Sequence, residues 1–308
     1  MERGRIIFIS SGGVLTKLNI LVTGGNGFIG SHLVKKLKSL GHQVSVVDTV
    51  AKNGAYNVDI CRPELVKLML KLKSQVVYHL AADNRVTGSA QATLQSNVIG
   101  TFNVLEAGRL AKIKQFIFTS SAAVYGESKQ LPIKENWPTK PISAYGLSKL
   151  TDELYCCLFQ EHFPATIFRF ANVYGPGQNS SAEGGVVAIF IKRISEGSPI
   201  VVYGNGWQTR DFVFVGDVVD ALTGALKLKK PTTLNIGSNQ PTSIIHLIKV
   251  IEKLTGKKAK INYQPKRPVE IEKSLFSFDR AKKELNWRPK TSLEEGLNET
   301  INLDFTGA

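Results

Sequence analysis

From Leu18 onward, short runs rich in β-branched residues alternate with segments whose apolar positions recur at helical spacing. The runs "LNILVT", "QVSVVD", "QVVYHLA" and "QFIFTSS" read as strands, and helices are expected from about Gly27, after Pro63 and around Asn97 to Leu110. Further strands are expected at "ATIFRF", "IVVYG" and "TLNIG". This alternation predicts an α/β protein with a parallel sheet covered by helices on both faces. Beyond about Val173 the pattern loosens into the Gly-rich "YGPGQNSSAEGG", a helix to Glu196, and a Lys-rich last third holding "KINYQPKRP". The expected organisation is a larger domain over residues 1–174 and a smaller α/β lobe over 175–308, with part of 208–240 returning to the larger domain. Residues 1–17 are an atypical extension ahead of the first strand, and "RIIFISSGG" within it reads as a strand and turn of its own.

The 308 residues, 43% of them hydrophobic, suffice for a large buried core. No apolar run nears the roughly 20 residues that cross a bilayer, and "RIIFIS" is too short, and lacks the cleavage pattern, for a signal peptide. A cytoplasmic protein with no membrane partner is expected. Cys61, Cys156 and Cys157 fall in no C-x-x-C or Cys/His pattern, which points to a reducing compartment and no metal. The net charge of +14 comes from lysines scattered between Lys35 and Lys290 without a basic stripe interleaved with aromatics. It therefore reads as a solvated surface around a site for a small anion, and not as a nucleic-acid interface.

The segment "NILVTGGNGFIGSHLVKKLKSLG" combines a buried strand, a glycine turn and a helix with an apolar face through Phe28, Leu33 and Leu37. Gly24, Gly27 and Gly30 let the chain turn tightly and approach a pyrophosphate, which then meets the unpaired N–H groups of the helix start. About 20 residues on, Asp48 ends the next strand, where a carboxylate can grip a ribose 2′-hydroxyl. The expected fold is thus a Rossmann-type doubly wound sheet. Asp48 repels a 2′-phosphate, and Thr49 and Val50 bring no arginine to receive one, so NAD is favoured over NADP.

In "SAYGLSK", Tyr145 and Lys149 stand at i and i+4, on one face of a helix. A lysine ammonium beside a phenol favours phenolate and lowers its pKa from about 10, more so next to a cationic nicotinamide. Tyr145 would then be a usable base.

Together these residues resemble an extended short-chain dehydrogenase/reductase of the NAD-dependent epimerase/dehydratase family, most like its UDP-glucose 4-epimerases. The resemblance runs from about Leu18 to Leu297 and is carried by "TGGNGFIG", "HLAA", "NVIGT", "SSAAVYG", "YGLSK", "RFANVYGPGQ", "GNGWQTRDFVFVGDV" and "ELNWRP". It implies that Phe28 and Ile29 join the three glycines at the pyrophosphate, and that Asp59 and Ile60 meet the adenine edge. Leu80, Ala81 and Ala82 would pass under the cofactor, with Asn97 supporting it from a neighbouring helix. Lys149 would reach the nicotinamide ribose, and Ser121 would hydrogen-bond the reacting sugar hydroxyl alongside Tyr145. On the substrate side it implies Asn172, Arg210 and Arg267 at the nucleotide phosphates, Val201 and Tyr203 at the uracil, and Glu270 at the nucleotide ribose. Ser274 would border sugar C2, its small size leaving room for an N-acetyl group. Only a short segment separates Asp48 from Asp59, where relatives usually fit a helix or long loop, so a more open adenine side is expected. A homodimer through the helices Asn97–Leu110 and Tyr145–His162 is also implied.

After the strand-end serines, Ala122 and Ala123 stand where the related 4,6-dehydratases carry an acid and a base. Methyl groups can neither protonate a leaving hydroxyl nor take a C–H proton, so elimination loses its agents. Decarboxylating relatives usually keep a glutamate there as well. The expected reaction is epimerisation at C4 of a UDP-sugar through a 4-keto intermediate, with NAD unchanged at the end. The alternatives are another nucleotide-sugar epimerase, such as one acting on UDP-glucuronate, a 4-keto reductase, or a non-enzymatic NAD-binding protein.

Overall fold

The computed structural model describes residues 17–84, 89–181, 184–267 and 271–305. Its strands are β1 (Asn19–Thr23), β2 (Gln43–Asp48), β3 (Tyr56–Asn57), β4 (Val76–His79), β5 (Gln115–Ser121) and β6 (Ala165–Phe170). They are followed by β7 (Asn172–Tyr174), β8 (Ile200–Tyr203), β9 (Thr209–Phe214), β10 (Thr232–Ile236), β11 (Pro241–Ser243) and β12 (Ile261–Gln264). The first helices are α1 (Phe28–Ser39), α2 (Glu64–Leu72), α3 (Ala90–Thr93), α4 (Gly100–Leu110) and α5 (Ala144–Leu158). The later ones are α6 (Val186–Ser195), α7 (Val215–Gly224), α8 (Ile244–Thr255), α9 (Asp279–Leu285) and α10 (Leu293–Asp304).

Seven strands form one parallel sheet in the order β10-β6-β5-β4-β1-β2-β3. The order reverses between β1 and β4, and in such sheets ligands bind in the crevice outside the strand ends at that point. Along β1 the side chains alternate faces, so Ile20 and Val22 enter one core while Leu21 enters another. The first core takes in Leu33 and Leu37 of α1 with Val218 and Leu222 of α7. The second takes in Leu65 and Met69 of α2, Val104 and Leu105 of α4, and Cys156 of α5. Both faces are thus covered, the arrangement that the near-continuous apolar strands predict.

Outside this sheet, β7 runs parallel to β9, which pairs antiparallel with β11, while β12 runs parallel to β8. Ile191 and Ile194 of α6, Leu247, Ile248 and Ile251 of α8, and Leu297 and Ile301 of α10 extend the first core into this region. Helix α10 starts with a reciprocal capping box between Ser292 and Glu295.

Two elements differ from the sequence expectation. The helix expected from Asn97 starts earlier, with α3, and passes through a π turn over Leu94–Ile99 before α4. Wider i→i+5 turns leave no trace in a hydrophobic period, which is why the pattern does not reveal this one. The helix expected to reach His162 stops at Leu158 and tightens into a 3₁₀ turn over Phe159–Glu161. The extension carrying "RIIFISSGG" lies outside the described residues.

Candidate active site

Between the end of β1 and the start of α1 the chain makes a tight turn. A Cβ on Gly30 would lie 2.1 Å from the Gly24 carbonyl oxygen, so any larger residue there forces the turn apart. Gly27 precedes α1 without a side-chain cap, which leaves the first N–H groups of the helix to meet an anion. Gly30→Ala is accordingly expected to weaken NAD binding at least about tenfold, an estimate from the cost of displacing helix-terminal donors, as read by isothermal titration; unchanged affinity would show that the turn yields without cost.

This turn opens onto a cleft of about 880 Å³ at the switch point. Its walls bring together Gly24, Gly27, Phe28, Ile29, Gly30, Asp48, Asp59, Ile60, Leu80, Ala81, Ala82, Tyr145 and Lys149, all expected from the sequence to hold the cofactor. Asp48 is fixed by backbone donors, its carboxylate accepting from Asn26 N at 2.9 Å and from Val50 N at 3.0 Å. Asn26 in turn donates to the carbonyls of Val50 and Lys52. Further along the cleft Asp59 accepts from the backbone N–H of Cys61, while Cys61 and Arg62 also face it. Asn26, Cys61 and Arg62 escape a motif search because their roles depend on the path of the loop after β2.

Asn97 does not line the cleft. It stands behind one wall in the π turn, where it accepts from Asp83 N at 2.7 Å and donates to Asp83 O and to Ser148 Oγ. It therefore pins the segment after β4 to helix α5. Asp83 itself lines the cleft and was not foreseen.

Helix α5 begins at a Ser143 cap that accepts from Gly146 N at 3.1 Å, which sets Tyr145 in its first turn. A Cβ on Gly146 would lie 2.5 Å from the Ala123 carbonyl oxygen, so glycine is what lets this helix lie against the turn after β5. The Ser121 hydroxyl accepts from Ala123 N at 3.1 Å and lies near enough to the Tyr145 phenol to favour its ionised form. Ala122 and Ala123 form the start of the 3₁₀ turn here.

The electrostatics correct one expectation. Burial dominates at Tyr145 and pushes its phenol up to about 12, with Ser121 pulling down and Asp152 pushing up. Lys149 does not supply the lowering foreseen from the sequence. Its ammonium donates to Thr119 O at 3.0 Å and lies over the Phe118 ring, and burial pulls its own pKa down.

The substrate-side residues lie apart from the cofactor cleft. Val201 and Tyr203 share a face of β8, and the Arg267 guanidinium stacks on the Tyr203 ring at 3.8 Å. Arg210 at the start of β9 donates to the carbonyls of Thr209 and Ile271. Ser274 is buried beside that strand, its N–H bonded to Thr209 O at 3.2 Å. Asn172 is exposed on β7. Glu270 lies outside the described residues.

Comparison with known proteins agrees with this fold. Residues 20–237 match the NAD dependent epimerase/dehydratase family. A putative UDP-glucose 4-epimerase of Methanocaldococcus jannaschii is 36% identical over 299 residues, covering 92% of this chain and 97% of the relative. The crystal structure of UDP-glucose 4-epimerase from Thermotoga maritima with UDP-glucose superposes with a TM-score of 0.89 at 37% identity, covering 93% of this chain and 98% of that one. UDP-glucuronic acid 4-epimerase from Bacillus cereus, solved with UDP-glucuronic acid and NAD, superposes at 0.83 with 31% identity, covering 92% and 98%.

Proposed function

The chain belongs to the NAD-dependent epimerase/dehydratase family, with NAD as its cofactor, and from this premise we propose that it inverts C4 of a UDP-sugar, UDP-glucose and UDP-galactose first. The observation that carries the proposal is the turn after β5. A Ser121–Tyr145 hydroxyl pair stands there beside two methyl side chains, Ala122 and Ala123, which have no acid or base with which to eliminate water or assist decarboxylation. Proton transfer at one hydroxyl is what the pair can perform.

In this reading, Gly24, Gly27, Phe28, Ile29 and Gly30 hold the pyrophosphate and Asp48 holds the adenosine ribose, with Asp59 and Ile60 at the adenine. Leu80, Ala81 and Ala82 form the floor, braced by Asn97. When bound, NAD supplies a hydride acceptor at C4 and the same hydride for return. Tyr145, its burial offset beside a cationic nicotinamide that favours the phenolate, takes the proton of the sugar 4-hydroxyl at its phenol oxygen and later gives it back, while Ser121 holds the same hydroxyl. Lys149 binds the nicotinamide ribose through its ammonium. Asn172, Arg210 and Arg267 grip the nucleotide phosphates, Val201 and Tyr203 flank the uracil, and Glu270 takes the nucleotide ribose. Anchoring remote from the reacting carbon lets the sugar turn over without leaving. On this division, residues up to about 174 serve mainly the cofactor and those after it mainly the substrate. Ser274 leaves room for an N-acetyl group, so UDP-N-acetylglucosamine is included among the substrates.

Exposed apolar side chains on α4 and α5, among them Phe102, Leu147, Leu154 and Leu158, support a homodimer through these helices. Three free thiols support a reducing, cytoplasmic setting. UDP-glucuronate is the second candidate substrate, because the B. cereus epimerase resembles the chain over the same length as the UDP-glucose enzyme does.

The test is incubation with UDP-glucose, UDP-galactose, UDP-N-acetylglucosamine and UDP-glucuronate, followed by product identification by NMR. The expected result is interconversion of the glucose and galactose forms with no net change in NAD. Turnover of UDP-glucuronate alone, release of carbon dioxide, or stoichiometric consumption of reduced nicotinamide would overturn it.

A further inference from the structure

Helix α5 carries two consecutive buried carboxylates, and only one is accounted for. Glu153 forms an ion pair with Arg169 at 2.6 Å and accepts from Ser120 Oγ at 2.5 Å. Asp152, fully shielded from solvent, has no formed hydrogen bond at either oxygen among the described residues. Leaving such a group unsatisfied is costly, so its retention in a packed core calls for a function. It stands at i+3 from Lys149, a second charge that is almost completely buried.

The groups around Asp152 can be named element by element. Its own helix brings Lys149, Glu153 and Cys156, and Glu153 is already neutralised by Arg169. Helix α4 brings the Thr101 hydroxyl, which lies near enough to favour the charged carboxylate but is bonded to His79 Nε2 at 2.9 Å. Strand β4 brings His79, bonded on its other side to Thr23 Oγ1 at 2.7 Å. Burial first, and Lys149 second, drive that imidazole down to about 3, so it stays neutral at working pH and adds no charge. Among the described residues, the cation of this group without a carboxylate pairing of its own is the Lys149 ammonium, which donates to the neutral carbonyl of Thr119.

We propose that Asp152 is a positioning residue whose carboxylate is the counter-charge that keeps the ribose-binding Lys149 ammonium protonated inside the fold as pH rises. Its role as ribose ligand rests on the activity proposed above; the coupling of the two charges does not. Asp152 is held up at about 7, by burial above all, so the counter-charge is present above neutral pH and is lost as pH falls below it. For Lys149 the sign is opposite. Burial disfavours its charged form, Asp152 is the largest influence restoring it, and removing that carboxylate lowers the pH at which the ammonium gives up its proton.

The experiment uses the full chain without substrate, labelled with [ε-¹³C]lysine, with the Lys149 signal assigned by its loss in Lys149→Met. In Asp152→Asn the Lys149 titration midpoint is expected to fall by about one pH unit or more, the effect of losing a nearby opposite charge. The wild-type signal should also show a smaller step near neutral pH, from ionisation of Asp152, that the variant lacks. An unchanged midpoint, or the same step in both proteins, overturns the proposal. If Asp152→Asn does not fold, the wild-type titration alone decides, because absence of the neutral step is equally fatal. In the NAD-loaded enzyme the alkaline limb of kcat, where Lys149 gives up its proton, should move to lower pH in the variant; if no UDP-sugar is turned over, the proposed activity fails while the NMR result stands.

Discussion

Replacing Tyr145 by phenylalanine is expected to lower kcat for sugar epimerisation by about 10²–10⁴-fold, the range that a positioned proton-transfer group contributes. The substitution removes one oxygen and keeps the ring that faces the cleft, so NAD binding should survive and separate lost chemistry from lost cofactor. Ser121 cannot take over the role. Its hydroxyl already accepts from Ala123 N, and as an alcohol it has no accessible anionic form. Steady-state kinetics with UDP-galactose, alongside NAD affinity by calorimetry, checks the split. A variant with near-normal kcat would place the proton on another group and remove Tyr145 from the mechanism.

A second large effect is expected for stability. Arg169 lies buried on β6, with Nε 2.9 Å and Nη2 2.6 Å from the Glu153 carboxylate and Nη1 2.8 Å from the Tyr125 hydroxyl. Burial alone would disfavour its charge, but the bonds to Glu153 outweigh that and hold the guanidinium above its ordinary pKa. Tyr125 passes the network on to Asn235 Oδ1 at 2.7 Å, so it ties helix α5 to β6 and β10. Arg169→Leu leaves a buried carboxylate uncompensated and should cost about 3–5 kcal/mol in urea unfolding. The double variant Arg169→Leu/Glu153→Leu should recover much of that loss, since it removes both charges. A single-variant cost under about 1 kcal/mol would mean that water reaches Glu153 and that the pair is not structural.

What could be read from the chain beforehand divides along physical lines. The glycine turn, Asp48 and the Tyr145–Lys149 pair are local patterns, with spacing set by strand and helix geometry, and the fold delivers them to one cleft. The π turn that faces Asn97 toward Asp83 interrupts no apolar period, so it stays hidden. Long-range partners are equally silent: nothing near Glu153 in the chain points to Arg169, and nothing near Tyr203 points to Arg267 stacking on its ring. The phenol's acidity was misjudged because the helical spacing of two side chains says nothing about where an ammonium points. In the fold it turns to Thr119, and burial decides the outcome at Tyr145.

The uncapped start of α1 has a bearing on the life of the protein in the cell. Helices α5, α8 and α10 each finish their first turn with a serine, whereas α1 has no such cap and its donors stay open to the diphosphate of a bound dinucleotide. Occupancy then enters the folding equilibrium by mass action, adding about 2.7 kcal/mol when the ligand stands at a hundred times its dissociation constant. By that linkage, chains short of dinucleotide should be the easier prey for a protease, and the supply of NAD would help set how much of the protein survives.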